Sequence, residues 1–119
     1  MANIDFQLLA KSEALSFKAG QIIFREGDSG NELYVVQSGS VQLSIGDRII
    51  ETLPENGIFG EIALIDDTPR NATAKAVTDA SVVPVGEKQF LFLVQETPYF
   101  ALNVMRVLAR RLIASTKML

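Results

Sequence analysis

Two charged residues nine positions apart, Glu61 and Arg70, stand in the stretch FGEIALIDDTPRNATAKA (residues 59–76), among residues too small to cover them. Gly60 followed by a short apolar turn reads as a strand end passing into helix. The first N–H groups of that turn, on Glu61, Ile62 and Ala63, then lack intrahelical acceptors and lie at its positive end, which makes an anion cradle. Gly60 lets a ligand approach the backbone, while Ala63 and Ala72 leave a cavity open. Arg70, read as entering the next strand, has the planar fork that grips a phosphate through two bonds, and Asn71 and Thr73 add hydrogen-bonding groups beside it. A carboxylate next to a phosphate repels it unless the ligand also offers a hydroxyl and the same arginine balances the charge of Glu61. The combination reads as a site for a sugar phosphate. Taken singly, a Gly-Glu pair at a strand end is a turn with a solvated acid, and a lone strand arginine is an edge charge. Their spacing among alanines argues for the site. Asp66 and Asp67 read as turn residues of DDTP, since nothing else in the chain completes a metal or acid–base centre there.

Composition narrows the chemistry further. The 119 residues, 48% of them hydrophobic, suffice for one core of ordinary size, so a single domain over 1–119 is expected. A formal charge of -3 gives no general attraction for a polyphosphate backbone, and no basic patch large enough for a nucleic-acid partner occurs. Without cysteine or histidine the chain has no disulfide, thiol nucleophile, imidazole base or usual soft metal ligand, so neither an enzyme nor a cofactor is expected. The opening MANIDFQLLAKSEALSF carries acidic residues and no sustained apolar run. No segment approaches the length of a membrane span, and a cytoplasmic protein without a membrane partner is expected.

The elements that must position Glu61 and Arg70 divide into a β-rich front, about 15–86, and helices over about 87–117. Short β-branched or alternating runs, QIIF, LYVV, VQLSI, RIIETL and SVVPV, are separated by EGDSGN, SGS, IGD and PENG, all turn compositions. Such spacing predicts a roll, sandwich or barrel. Gly39 and Gly46 fall where tight hairpins need positive φ. EKQFLFLVQE predicts a short helix ending before Pro98, and a second helix follows over 98–117. On a helical wheel Tyr99, Asn103, Arg106, Arg110 and Lys117 gather in a polar stripe. Phe100, Ala101, Val104, Met105, Leu108, Ala109, Leu112 and Ile113 cover most of the rest. That arc is too wide for one contact, so this helix packs on the roll with one side and on a second copy or a ligand-bound surface with another, unless the whole arc lies deep among the chain's own elements.

At the quoted stretch the chain resembles the phosphate-binding cassette of cyclic-nucleotide-binding domains, of the kind found in bacterial catabolite activators and protein-kinase-A regulatory subunits. FKAGQIIFREGDSGNELYVVQSGSVQL is similar to the opening strands of that family, with Gly20, Gly27 and Gly39 at matching positions, and FLFLVQETPYFALNVMRVLARRL is similar to its closing helices. The likeness runs from Leu15 to Leu112. It implies a mainly β fold: an eight-stranded β-roll, or jelly-roll-like double-stranded β-helix, with a short cassette helix and C-terminal helices, binding cAMP or cGMP. Glu61 would accept the ribose 2′-hydroxyl, Arg70 would pair with the cyclic phosphate, and N–H groups around Ile62, Ala63 and Ala72 would complete the cradle. Gly60, Leu43 and Leu53 are included among the ligand-contacting residues. Asn71 follows the arginine where relatives carry Ala, Ser or Thr, which leaves adenine and guanine both open. Ser115 and Thr116 match a hydroxyl pair that reaches the purine in similar regulators, or are simply the end of the helix.

Two further features depart from the family pattern. Only about fourteen residues precede the first strand, so the usual leading helix is expected to be short or absent. The sequence ends at Leu119 with no helix-turn-helix to follow, so DNA binding by that route is not expected. The reading is therefore a stand-alone, non-catalytic regulatory module whose long helix relays occupancy to a homodimer partner or to another protein. A roll that kept the fold and lost the ligand would lack Gly60–Glu61 or Arg70. A cupin-like enzyme would need histidines.

Overall fold

Burial along the strands decides which faces of the sheets are covered. The computed structural model describes residues 13–117, with side chains through residue 114. The expectation of a shortened leading helix lies outside the described residues. Eight strands and three helices follow in the order β1 (Leu15–Phe17), β2 (Ile22–Phe24), β3 (Leu33–Ser38), β4 (Val41–Ile45), β5 (Arg48–Leu53), β6 (Ile58–Phe59), α1 (Glu61–Asp66), β7 (Thr73–Ala76), β8 (Ala80–Val85), α2 (Glu87–Glu96) and α3 (Tyr99–Lys117). The strands form two antiparallel sheets, ordered β1-β8-β3-β6 and β2-β7-β4-β5. The fold is thus mainly β, as the resemblance implies.

The core has two compartments. Between the sheets lie Phe24, Val36, Val41, Leu43, Leu53, Phe59, Ala74 and Val82, contributed from both. On the other face of the first sheet Leu33, Val35, Ile58, Val83 and Val85 meet Leu93 of α2 and Phe100, Val104 and Val107 of α3. This sheet is covered on both faces, which explains why LYVV and SVVPV read as continuous apolar runs instead of alternating ones. β4 and β7 lie in the second sheet and alternate: Val41 and Leu43, or Ala74 and Ala76, are buried while their neighbours are half-buried.

The turn glycines have the backbone expected of them, with φ 79 at Gly39 and 57 at Gly46. The helix read over EKQFLFLVQE matches α2, and α3 begins just after Pro98. Arg70 differs from its sequence reading. It ends a loop three residues before β7, because the main chain there is drawn to the β2–β3 turn instead of a strand partner.

The wheel drawn for α3 also needs one change. Phe100, Val104 and Val107 face the roll, while Met105, Ala109 and Ile113 are exposed, so the two-sided packing of the arc is observed on the roll side only. Asn103, assigned to the polar stripe, is 3% exposed. It lies one helical turn from both Phe100 and Val107, and its Oδ1 accepts no hydrogen bond.

Candidate functional site

A cavity of about 1130 Å³ opens between β4, β5, α1 and the second half of α3. It is large enough for a small organic ligand with room left at the mouth. Every contact residue expected between Leu43 and Ala72 borders it: Leu43 and Leu53 on the sheet, Gly60, Glu61, Ile62 and Ala63 at α1, and Arg70, Asn71 and Ala72 ahead of β7. Ser115 and Thr116 belong to the last turn of α3, with side chains outside those described.

Arg70 is placed by its backbone. Its N–H donates to Asp28 O (2.9 Å) and its carbonyl accepts from Gly27 N–H (2.8 Å), while Asp28 is itself braced by the Arg25 N–H on its carboxylate (2.9 Å). The side chain runs inward and is 6% exposed. Nη1 donates to Gly60 O (3.0 Å), and the guanidinium carbon lies 4.3 Å from the Phe24 ring centroid and 5.6 Å from that of Tyr34. Nε has no partner. Burial, then the charge of Glu32, pushes the Tyr34 hydroxyl above its ordinary pKa, and the Arg70 cation opposes that rise. A buried cation held by aromatic faces and one carbonyl, with no carboxylate partner among the described residues, is incompletely compensated and suited to an incoming anion.

Glu61 opens α1 directly after Gly60, whose φ of 77 turns the chain from β6 into the helix. Its side chain is buried, and its charge partner differs from the one expected. Arg111 of α3, not Arg70, makes the ion pair, with Nη1 donating to Glu61 Oε1. The same guanidinium donates from Nε to Glu51 Oε1 (2.9 Å) and from Nη2 to Ile58 O (2.7 Å). One side chain therefore fastens α3 to β5, β6 and α1. Sequence reading passed over Arg111, although the signal was present. It lies four residues after Val107 and seven after Val104, on the face of α3 that meets the roll.

At the other end of α1, Asp67 caps the helix in the left-handed region (φ 54) and its N–H donates to Ala63 O (3.1 Å). Asp66 and Asp67 are exposed, as turn residues are. The arrangement offers a buried cation, a buried carboxylate and an apolar wall. These can recognise a molecule carrying an anionic group, a hydroxyl and a flat or apolar portion.

Residues 14–97 match the family model described as cyclic nucleotide-binding domain. The chain is 37% identical over 101 residues to the cyclic AMP receptor protein of Thermus thermophilus, covering 81% of this chain and 47% of that one. The crystal structure of Thermus thermophilus catabolite activator protein superposes with a TM-score of 0.80 at 32% identity, over 92% of this chain and 54% of that one. The EAL enzyme Bd1971 is 33% identical in both its cAMP-bound and cGMP-bound forms, with TM-scores of 0.64 and 0.66. It matches over 88% of this chain and 30% or 29% of its own. The chain thus spans about half the length of these relatives or less. No helix among the described residues is long and apolar enough to cross a membrane.

Burial, the largest influence, holds the Glu61 carboxyl above its ordinary pKa of 4.5, with Arg111 and the N–H groups of Glu61 and Ile62 opposing. Between the ordinary and the raised value the folded chain binds more protons than the unfolded one. The contribution of this group to stability is therefore fullest below about pH 4.5 and declines as pH rises through the raised value. Glu61→Gln removes that decline, so its stability relative to the parent is expected to improve as pH rises from the ordinary pKa of 4.5 through the raised value. Urea midpoints across that range check it. A parent that instead gains on the variant as pH rises reverses the sign.

Proposed function

This chain belongs to the cyclic nucleotide-binding domain family, and on that premise we propose that it is a non-catalytic, cytoplasmic regulatory module that binds cAMP or cGMP. The observation that carries the reading is the Arg70 guanidinium, buried without a carboxylate at the wall of a cavity that Glu61 also borders. In this reading the cyclic phosphate pairs with Arg70 and the ribose 2′-hydroxyl donates to Glu61. N–H groups near Ile62, Ala63 and Ala72 complete the cradle. Leu43 and Leu53 supply apolar wall, and Asn71, Ser115 and Thr116 approach the purine. The relatives whose names and structures carry cAMP or cGMP support the ligand class.

Calorimetric titration with each nucleotide tests it. Heat is expected with at least one, and Arg70→Ala, which leaves the phosphate buried and unpaired, should weaken binding by ~2–5 kcal/mol while the roll stays folded. A parent protein that releases no heat with either would instead fit a roll that keeps the fold as an interaction module.

Occupancy reaches the long helix through Glu61. Because Arg111 already uses this carboxylate, a ribose hydroxyl arriving there changes the contact that fastens α3, and a ligand shifts an equilibrium only by meeting its two states differently. Hydrogen exchange in α3 is expected to change when the ligand binds the parent. In Arg111→Ala that change should be lost although heat is still released. A response in α3 that survives the substitution would route the relay elsewhere.

The partner of the outer face of α3 is, in this reading, a second copy. Leu102, Met105, Ala109 and Ile113 are exposed at steps of three, four and four residues, a continuous apolar stripe that a two-fold axis can pair with itself. Sedimentation should find a dimer, and Met105→Glu should shift it to monomer with nucleotide binding retained. A monomeric parent at tens of micromolar would leave the stripe to a different protein.

A further inference from the structure

Arg70 is held at a fixed height in its cavity by two glycines and a ring. Gly60 needs its left-handed backbone, but Gly30, in the loop between β2 and β3, has no positive φ. What Gly30 provides is space. A Cβ built there would stand 2.5 Å from both Nε and Nη2 of Arg70 and 2.7 Å from its Cζ, and a Cβ on Gly60 would stand 2.7 Å from Nη1. Phe24, 8% exposed, covers a face of the same guanidinium at 4.3 Å. The cation thus lies between two bare Cα atoms and against one aromatic face, and the main chain at both ends of the side chain's reach is pinned by Gly27, Asp28 and Gly60.

We infer that Gly30 and Phe24 are positioning residues that form a socket for the Arg70 guanidinium, Gly30 by leaving room for its edge and Phe24 by supporting its face. The three atoms nearest a new methyl group at Gly30 belong to the far end of one flexible side chain. Gly30→Ala therefore displaces the cation and not the roll. Phe24→Leu keeps apolar bulk in the core and removes the π face. Both changes move the charge that the anionic group of a ligand must meet, and a misplacement of about 1 Å is enough to weaken a paired contact. The inference rests on the anion-binding reading of Arg70 for its effect on affinity, but the socket itself does not.

Two measurements separate these. In the ligand-free protein the Nε–H of Arg70, buried and beside the Phe24 ring, should give a slowly exchanging NMR signal displaced by the ring current and identified by its loss in Arg70→Lys. In Gly30→Ala and in Phe24→Leu that signal should move toward the position of a solvated arginine. In parallel, cAMP and cGMP affinity should fall about 10-fold in each variant, and Gly30→Ala should add little to the loss already caused by Arg70→Lys, since both act through one group. An unmoved Nε–H signal in both folded variants overturns the socket, whatever the affinities. Losses that simply add to that of Arg70→Lys also overturn it, because they describe a general structural defect. Absence of heat in the parent overturns the ligand reading and leaves the NMR result to decide the socket. Should Gly30→Ala unfold the roll, Gly30→Ala combined with Arg70→Ala removes the atoms in conflict and must refold. Failure of that pair to fold counts against the inference.

Discussion

Taking the Arg70 guanidinium out of water costs several kcal/mol unless its surroundings compensate it, and this structure compensates it only in part. The ring of Phe24 and the carbonyl of Gly60 satisfy some of the charge, while Nε is left with no acceptor. Much of the neighbouring architecture follows from holding that group where it is. The β2–β3 turn exists in its present form with Gly27 and Asp28 bonded to the Arg70 main chain. Gly30 and Gly60 lack side chains where they meet its guanidinium. α1 begins just after the carbonyl that accepts from it.

The second charge in the cavity is treated oppositely. Glu61 is fully engaged, and its partner comes from the far end of the chain, so the carboxylate couples the roll to α3 as well as lining the cavity. Arg111 spans Glu51, Ile58 and Glu61 at once. A guanidinium suits this work better than an ammonium would, because its five donors are arranged in a fixed plane. The cavity therefore has one cation whose bonding is incomplete and one cation already committed to the protein. A ligand that meets both Arg70 and Glu61 must bind the first and renegotiate the second.

What could be read from the residues depended on whether the signal was local. β4, the turn glycines, α2 and the FGEIAL turn have their patterns within a few residues, and the structure has them where the patterns fall. β1, β6 and β7 are two to four residues long, too short to show a period, and exist because longer strands pair with them. Sequence proximity points to Arg70 as the partner of Glu61, whereas the arginine that faces it, Arg111, is 50 residues away. A helical wheel marks Arg111 as lying on the buried face, but it says nothing of which carboxylate is opposite. Gly30 gave no signal either, since a glycine in EGDSGN looks like any turn residue until the side chain beside it is located.

Asn103 reads as exposed from its polarity alone, yet it lies on the buried side of its helix. Its carbonyl oxygen is enclosed where α3 lies against the first sheet, next to Phe100 and Val107, and accepts nothing. Enclosing an unbonded amide oxygen costs about 1–3 kcal/mol, a sizeable part of what packing one helix can return. The seam between α3 and the roll accordingly carries a cost that offsets part of what its apolar side chains contribute. That cost leaves the polar anchorage of α3 by Arg111, to Glu51, Ile58 and Glu61, as a larger share of what holds helix to roll.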